Sequence, residues 1–484
     1  MNIKLIYKIM GSLLFLESMF MIICFGISLM YGEDDSFAFF FSILVTLMSG
    51  FILRYFGRNA DNGMGRRESY LVVTLAWSMF SLFGTLPFMI GGYIPNFTNA
   101  FFESMSGFTT TGATILDDVE WLPHGILFWR TISQWIGGLG IVFFTVAVLP
   151  SMVGGSVKVF SAEATGPIRT KLHPRLSSTT QSIWVIFLVL TIACGACFKL
   201  LGMGWYDAAN YAMTTIATGG FAPHNDSILH FHSIAIEYVT TLFCFLSGIN
   251  FILVYNLVTK GMVMNLLRNV EFKFYVIVIA IFTLFITVEL MVHNGYDIEK
   301  AFRCGIFQIV SFLTTTGLFN DDAATWPHVT WVVLAVCMFA GGCAGSTSGG
   351  FKSVRCVMLL KTVVNEFRQM LHPRAVLPLR IGDNNITTQR RVTLLAFLTV
   401  YTLMCIVCAF TMISAGVDNT NAITITISTL SNVGPTLGVE IGPTMSWDDL
   451  PAFAKWICSL LMLMGRLEIF SVLIIFTPVF WRER

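Results

Sequence analysis

Long runs of apolar residues restrict the possible folds of this chain more than any other feature of its sequence. The run from Val392 to Ile413 contains no charged residue, and about 20 apolar residues are enough for a helix to cross a bilayer. In the whole chain 55% of residues are hydrophobic and 12% are charged, whereas soluble proteins carry about 25% charged residues. We therefore predict an all-α polytopic membrane protein. Ten spans are recognisable, the eighth of them broken, at residues 5–31, 37–56, 69–93, 124–150, 179–203, 233–260, 270–293, 326–371, 389–416 and 449–481.

The connections between these spans alternate in charge. One set is basic and includes Arg58, Lys158 and Lys260, and the other is acidic and includes Asp118 and Asp322. The positive-inside rule places the basic set in the cytoplasm, so both termini are predicted to be cytoplasmic. A net charge of +1 gives no basic field that would attract nucleic acid. The eleven cysteines are predicted to fill apolar cores, because both C-x-x-C pairs lie within spans.

Four short segments between spans are too short to cross a membrane, and their length is typical of re-entrant segments. They cover residues 99–112, 206–219, 298–317 and 420–434, and their terminal glycines are 107, 98 and 117 residues apart. Such spacing predicts one helix–loop–helix module repeated four times after two N-terminal spans. The corresponding divisions of the chain are 1–62 for the two spans and 63–160, 161–264, 265–378 and 379–484 for the repeats.

The ends of these four segments indicate an ion pathway. Backbone at membrane depth must face protein or water, and four converging sets of carbonyl oxygens can replace the hydration shell of a monovalent cation. Glycine permits the close approach, and a Thr-Gly pair that is only a turn remains the simpler interpretation of any single copy. The predicted filter consists of Thr110, Thr111, Gly112, Ala217, Thr218, Gly219, Thr315, Thr316, Gly317, Asn432, Val433 and Gly434.

Several strings in the sequence resemble the TrkH family of the Trk/Ktr/HKT potassium transporters. They lie at residues 100–107, 109–114, 216–221, 341–350, 431–435 and 465–468. This resemblance implies one pseudo-fourfold pore per chain, a homodimer, a cytosolic ring of TrkA-like nucleotide-binding subunits, and the bacterial inner membrane. It also implies that four filter glycines favour potassium, although Leu318 and Thr436 depart from the usual family pattern.

A glycine-rich stretch interrupts the eighth span and suggests a gate. Five glycines in ten residues disfavour a regular helix, since each costs about 1 kcal/mol relative to alanine. Close helix packing through small residues is the alternative, whereas the family resemblance implies an intramembrane gating loop. Arg466 lies in the last span, where a buried charge is costly and usually functional, and we predict that it pairs with carbonyls of that loop. The predicted gate comprises Gly341, Gly342, Cys343, Ala344, Gly345, Ser346, Thr347, Ser348, Gly349, Gly350 and Arg466.

Two other functional classes were compared with a gated pore. A transporter that couples potassium to protons or sodium typically has acidic residues at the membrane midplane, and no such cluster is evident. No catalytic constellation or nucleotide-binding fingerprint is evident either, so neither enzymatic activity nor a bound cofactor is predicted, and potassium is the only expected ion. Most charges near the spans are expected to lie at the membrane interface or to pair loosely, and the histidine pair is expected to lie in a solvated loop, with metal binding as the alternative. The sequence assigns no role to any of them; these are Glu17, Arg130, Lys199, Glu237, Glu289, Lys455, His230 and His232.

Overall fold

The computed structural model describes residues 1–482 except 62, 141–175, 376, 383 and 438–445. Helices dominate the described part, and a single two-stranded hairpin is its only sheet. The α-helices are α1 (Ile3–Tyr31), α2 (Asp35–Phe56), α3 (Arg66–Phe83), α4 (Leu86–Ile90), α5 (Phe97–Phe108), α6 (His124–Leu139), α7 (Leu176–Leu200), α8 (Trp205–Ala217), α9 (Ile234–Ser247), α10 (Phe251–Lys260), α11 (Val263–Arg268), α12 (Val270–His293), α13 (Ile298–Leu313), α14 (His328–Ala340), α15 (Ser353–Leu371), α16 (Thr388–Ser414), α17 (Asn419–Ser431), α18 (Ala452–Arg466), α19 (Ile469–Leu473) and α20 (Pro478–Trp481).

Six helical stretches in the described residues are long and apolar enough to cross a membrane. They correspond to six of the ten predicted spans and lie at Ile3–Tyr31, Asp35–Phe56, Arg66–Ile90, Thr180–Leu200, Val270–His293 and Thr388–Ser414. The chain is therefore a multi-pass helical membrane protein. The loops that contain Glu33, Asp118 and Asp322 are called the acidic side below, and those that contain Arg58 and Lys260 are called the basic side.

Two predicted spans are sharply bent, although the sequence indicated a break only in the eighth. The axes of α9 and α10 differ by 104°, and those of Ala452–Arg466 and Ile469–Phe476 differ by 114°. At the first bend, the Asn250 side chain accepts a hydrogen bond from the backbone N–H of Ile252 and so starts a new helix. At the second, Glu468 has a φ of 59°, which a continuous right-handed helix does not permit.

Four short helices, α5, α8, α13 and α17, occupy the segments predicted to be re-entrant. Their N-termini are fixed locally in two repeats: Asn96 accepts a hydrogen bond from Thr98 N, and Asp418 accepts one from Thr420 N. The α-helix that follows each short helix along the chain is called an inner helix; these are α6, α9, α14 and α18. Each short helix packs against the inner helix of its own segment or of a neighbouring one, for example α17 against α18 and α8 against α6. Their C-termini are consequently buried inside the protein.

A hairpin between α15 and α16 is the sheet of the described residues. It pairs Leu379–Ile381 with Asn384–Ile386 in antiparallel register, with Leu379 opposite Ile386.

Two predictions concern residues outside the described part of the chain, namely the end of the fourth span at 141–150 and the basic connection that contains Lys158.

Candidate functional site

The four short helices end in one shared backbone conformation. In each, an N–H bonds to the carbonyl five residues earlier, and the residue before that N–H has a φ of 54° to 57°. These features define a Schellman ending, here with threonine or asparagine at the left-handed position. The four connections that follow are called loop 1 (109–112), loop 2 (217–220), loop 3 (314–317) and loop 4 (431–434). The bonds are Thr111 N to Ser106 O, Gly219 N to Thr214 O, Thr316 N to Ser311 O and Val433 N to Ser428 O, at 2.8–3.0 Å.

This shared conformation changes the alignment of loop 2 by one residue. Thr218 occupies the left-handed position that Thr110 occupies in loop 1, and Gly220, with a φ of 87°, corresponds to Gly112, with a φ of 82°. The sequence matched Gly219 to Gly112 because both follow threonine directly. By backbone geometry Gly219 corresponds instead to Thr111, and Ala217 is the last residue of α8. The sequence also permits an alignment of Gly220 with Gly112, because Gly220 directly follows Gly219, but this alignment was not predicted.

The four loops contact one another in a closed ring, in which the glycine of each loop lies against a carbonyl of the next. A Cβ atom built on any of these glycines would overlap that oxygen, so the ring has no space for a side chain. In ring order, the distances from the built Cβ are 2.3 Å from Gly112 to Gly219 O, 2.5 Å from Gly220 to Thr316 O, 2.2 Å from Gly317 to Val433 O and 2.4 Å from Gly434 to Thr111 O.

One cavity of about 90 Å³ opens above the ring on the acidic side. It is lined by the same four glycines, Gly112, Gly220, Gly317 and Gly434, together with residues of the acidic-side loops. The loops therefore meet at a common, accessible centre. The short helices point their C-termini, the negative ends of their dipoles, toward this centre.

Loop 1 is supported by a buried ion pair. Arg130 Nε donates to Glu103 Oε1 at 2.8 Å, and both side chains are at most 2% exposed. Glu103 also accepts hydrogen bonds from Thr114 Oγ1 and from Ile115 N at 3.0 Å. The Arg130 guanidinium lies over the Phe221 ring at 4.2 Å and lines the cavity. Glu103 thus compensates a positive charge that stands beside the ring.

The other loops have neutral supports. Gln134 donates to Gly219 O at 2.6 Å and accepts from Phe221 N at 3.1 Å, which fixes loop 2 from both sides. Asn432 donates to Thr111 Oγ1 at 3.0 Å and so joins loop 4 to loop 1. Leu318, the departure in loop 3, is fully buried, and its carbonyl accepts from Ser311 Oγ at 2.6 Å.

The 341–350 loop lies directly on the basic side of the ring. Thr347 Oγ1 donates to Ile216 O at 3.0 Å, and Gly349 N donates to Thr315 Oγ1 at 2.7 Å. A Cβ on Gly349 would lie 2.3 Å from Ser431 O. Three repeats therefore contact this short stretch.

Glu271 fixes the same loop from α12. Its Oε1 accepts from Ala344 N at 2.6 Å and from Val354 N at 3.1 Å, and thereby joins the middle of the loop to the start of α15. Lys352 is buried and donates to Ser348 O. Neither residue was predicted from the sequence to be part of the gate.

Arg466 connects the loop to the first repeat. Its guanidinium donates to Thr347 O at 2.8 Å, to Gly137 O at 2.6 Å and to Gly138 O. Its neighbour in sequence, Glu468, pairs with Arg355 at 2.6 Å. Of the predicted bonds between Arg466 and carbonyls of the loop, the structure contains one, to Thr347 O.

Several charges to which the sequence gave no role are buried in specific pairs. Besides Arg130, Glu237 pairs with Arg303 at 2.6 Å, and Lys455 bonds to Asn99 Oδ1 at 2.8 Å. Glu237 is 5% exposed and Lys455 is 5% exposed. The prediction that most such residues lie at the membrane interface was wrong for these three. Their partners Glu103, Arg303 and Asn99 lie 27, 66 and 356 residues away in the sequence and could not be identified from spacing alone.

Spanning helices arranged around four convergent re-entrant loops define a helical membrane transport protein. Residues 35–482 match the TrkH family, described as a cation transport protein. The chain is 37% identical to the Trk system potassium uptake protein TrkH of Escherichia coli K12 and 35% identical to that of Halomonas elongata, with 100% of each chain covered. The crystal structure of the potassium transporter TrkH from Vibrio parahaemolyticus matches with a TM-score of 0.89 at 35% identity, covering 100% of both chains. The chain belongs to the TrkH family, as its sequence strings indicated.

Proposed function

We propose that this chain is the potassium-conducting subunit of a Trk-type uptake system and that the ring of loops 1–4 is its selectivity filter. The observation that carries this proposal is that glycines from four separate repeats line one cavity and contact one another's carbonyls in a closed ring. A potassium ion sheds its water only where several oxygen dipoles replace it together. The names of the relatives, all potassium uptake proteins, support potassium as the ion.

By backbone alignment, the proposed filter glycines are Gly112, Gly220, Gly317 and Gly434. Gly219 contributes a carbonyl, as do Thr111, Thr316 and Val433. Ala217 remains in the proposal only as the residue that ends α8. The threonine hydroxyls at positions 111 and 316 bond to Thr109 and Thr314 at 2.8 Å and 2.7 Å, so they brace their loops.

The 341–350 loop is the proposed gate, and Arg466 is its latch. The loop contacts the underside of repeats two, three and four, and Arg466 joins it to the first repeat. A cation that leaves the ring toward the basic side would meet both the loop and a positive charge. Movement of the loop would remove this barrier without changing the ring.

The same proposal covers the arrangement around the pore. Residues 1–62 form the two extra spans, and 63–160, 161–264, 265–378 and 379–484 form the four pore repeats. The acidic side faces outward, the termini lie in the cytoplasm of a bacterium, and the chain forms a homodimer. A cytosolic TrkA-like ring would act on the basic side, where α15 leads directly from the gate.

Potassium flux through the purified chain tests this function. We expect liposomes containing the protein to take up rubidium or potassium down the ion gradient without any proton or sodium gradient. Growth of a potassium-uptake-deficient strain at low potassium, with and without a ring partner, gives the cellular measurement.

Protein-free liposomes and liposomes with a G112A variant provide the controls. If uptake requires a proton or sodium gradient, the chain is a coupled transporter and not a pore. Absence of potassium flux under every gradient, in protein that is correctly folded, would remove the proposed function.

A further inference from the structure

Two histidines and a carboxylate from neighbouring loops meet on the acidic side, beside the cavity. His224 follows Gly220 by four residues and lines the cavity. His230 lies in the short 3-10 helix Ser227–Phe231, and Glu120 comes from the loop that follows loop 1. One ligand atom from each of these side chains lies within 4.8 Å of the other two.

The orientation of the His224 ring is typical of a metal ligand. Its Nδ1 faces Glu120 Oε1 at 3.5 Å, and its Nε2 faces Asp207 Oδ1 at 3.3 Å. Metal-binding imidazoles usually direct their second nitrogen at a carboxylate, which fixes the tautomer and the ring orientation. Asp207 is in a position to do this from the first turn of α8. The His230 ring stacks on His224 at 3.6 Å between centroids.

Asn225 holds the two loops in this arrangement. Its backbone N–H donates to Glu120 Oε1 at 3.3 Å, and its Nδ2 donates to Asp118 Oδ1 at 2.7 Å. Its Oδ1 accepts from Val119 N at 2.9 Å. Three bonds from one residue therefore fix the segment that carries Glu120 against the segment that carries His224. The three candidate ligands are brought together before any ion binds.

We propose that Glu120, His224 and His230 form a binding site for a divalent transition metal of the zinc class, and that its occupation slows cation entry. Two imidazoles and a carboxylate suit zinc, whereas calcium and magnesium prefer oxygen ligands alone. Zinc–nitrogen bonds of about 2.0–2.1 Å require the ligand atoms to move closer, and rotation of the exposed His230 side chain provides this movement. Water would complete the coordination.

The electrostatic consequence follows from the position of the site. A bound Zn²⁺ adds two positive charges beside the cavity, and these repel a monovalent cation that comes within a Debye length of about 8–10 Å. Metal binding itself is independent of the proposed function. The slowing of cation entry rests on the proposed function, so the two parts need separate measurements.

Zinc binding to the full-length chain, purified without its affinity tag and treated with EDTA, tests the site. Calorimetric titration with Zn²⁺ should show one ion per wild-type chain, and Co²⁺ should produce a visible absorption band. We expect H224A and H230A each to weaken binding at least ~10-fold. H232A is the matched control, because His232 is exposed in the same turn but lies outside the cluster, and it should bind as wild type does.

The binding results decide the first part of the proposal. Equal affinity in wild type and H230A, or an equal loss in H232A, would overturn the site. A loss confined to H224A and H230A, with altered affinity in E120Q, would support it.

Flux in liposomes decides the second part. Zn²⁺ added to the acidic side should reduce wild-type potassium flux several-fold relative to metal-free flux, and should leave H224A/H230A at its own metal-free value. Zinc binding without a change in flux would overturn the inhibitory part. Absence of flux before zinc is added would count against the proposed function and not against the metal site.

Discussion

The ring and the level immediately beneath it are built from the same four helix–loop–helix segments, but their geometry differs. In the ring, all four loops share one hydrogen-bond pattern and one pair of left-handed residues. Beneath it, the inner helices end differently: α6 stops before Gly140, α9 bends by 104°, α14 gives way to the 341–350 loop, and α18 bends by 114°. Fourfold likeness is thus retained at one level and lost at the next.

The difference has a physical reason if the ring coordinates an ion. A dehydrated cation is stabilised by oxygens at equal distances, so each repeat must supply the same backbone. Beneath the ring, the 341–350 loop contacts the ends of the short helices. The third repeat supplies this loop, and the other repeats supply contacts: carbonyls at Ile216 and Ser431, and the guanidinium of Arg466.

The largest expected effect comes from adding a methyl group within the ring. G112A, G220A, G317A and G434A should each reduce potassium flux at least ~10-fold, because 1.4 kcal/mol already corresponds to tenfold. Each Cβ would overlap a carbonyl of the next loop, and the left-handed backbone adds about 1–2 kcal/mol of strain. Liposome flux, normalised to folded protein, measures the loss.

Two variants sharpen this comparison. Gly92 has a φ of 72° with no atom near its built Cβ, so G92A isolates backbone strain and should leave flux close to wild type. G219A should be milder than G220A, since the three atoms nearest its new methyl group belong to the Gln134 side chain, whereas the methyl group of G220A would meet the backbone at Thr316 O. Wild-type flux in G112A, or a greater loss in G219A than in G220A, would contradict the ring as aligned by its backbone.

The sequence predicted the repeated elements and not their precise registration. Thr109 to Gly112 and Thr314 to Gly317 are identical strings, so loops 1 and 3 aligned without ambiguity. Loop 2 contains two consecutive glycines, and only the backbone conformation distinguishes them. The apolar runs likewise predicted spans, because burial in lipid depends on composition.

The bends and the buried ion pairs could not be predicted in this way. Ser247 to Asn250 contains only one glycine and no proline, so nothing local indicated a turn of 104°. Glu103 and Arg130 are 27 residues apart, and Glu237 and Arg303 are 66 residues apart. Such contacts depend on how repeats pack, which the pattern of a single sequence does not contain.

Removal of Glu103 should produce the next largest effect, on stability. E103A leaves Arg130 buried without its counter-charge, which typically costs 3–5 kcal/mol, and we expect a clear fall in the melting temperature of the detergent-solubilised protein. E366A is the matched control: Glu366 pairs with Arg391 at 2.7 Å but is 58% exposed, and exposed pairs contribute about 0–1 kcal/mol. Equal stability of the two variants would show that the ring does not depend on the buried pair.

A smaller and opposite effect is expected beneath the ring. R466A removes the bonds that hold Thr347 O and Gly137 O. A net hydrogen bond contributes about 1 kcal/mol, and the loss of one such bond corresponds to about fivefold, so flux should rise by at least this factor if the loop is a gate. Single-channel recording or liposome flux would detect the increase.

Arg466→Lys separates charge from geometry, because lysine keeps the charge but lacks the planar fork of donors with which Arg466 joins Thr347 O to Gly137 O. We expect R466K to lie between wild type and R466A. Unchanged flux in R466A, at normal expression, would contradict the role of Arg466 in the gate but not the role of the ring as a filter.

The smallest expected effect lies outside the ring, at His224, and depends on pH. Burial lowers the pKa of this imidazole, but the hydrogen bond and charge of Asp207, followed by the charge of Glu120, outweigh burial and raise the pKa above its usual value. A raised pKa stabilises the fold below the unfolded value of about 6.5, and this contribution is lost as pH rises through the folded pKa.

H224Q should therefore lower the melting temperature more at pH 6 than at pH 9, measured in EDTA to exclude bound metal. Because His224 is partly exposed, solvent screening limits the difference to under about 1 kcal/mol. H232Q is the control, because it replaces an exposed histidine of the same turn that lies outside the cluster. If H224Q destabilises equally at both pH values, His224 stabilises the acidic-side loops by packing and not by charge. Those loops would then resemble the ring, which is held by backbone contacts, more than the level beneath it, which is held by charged side chains.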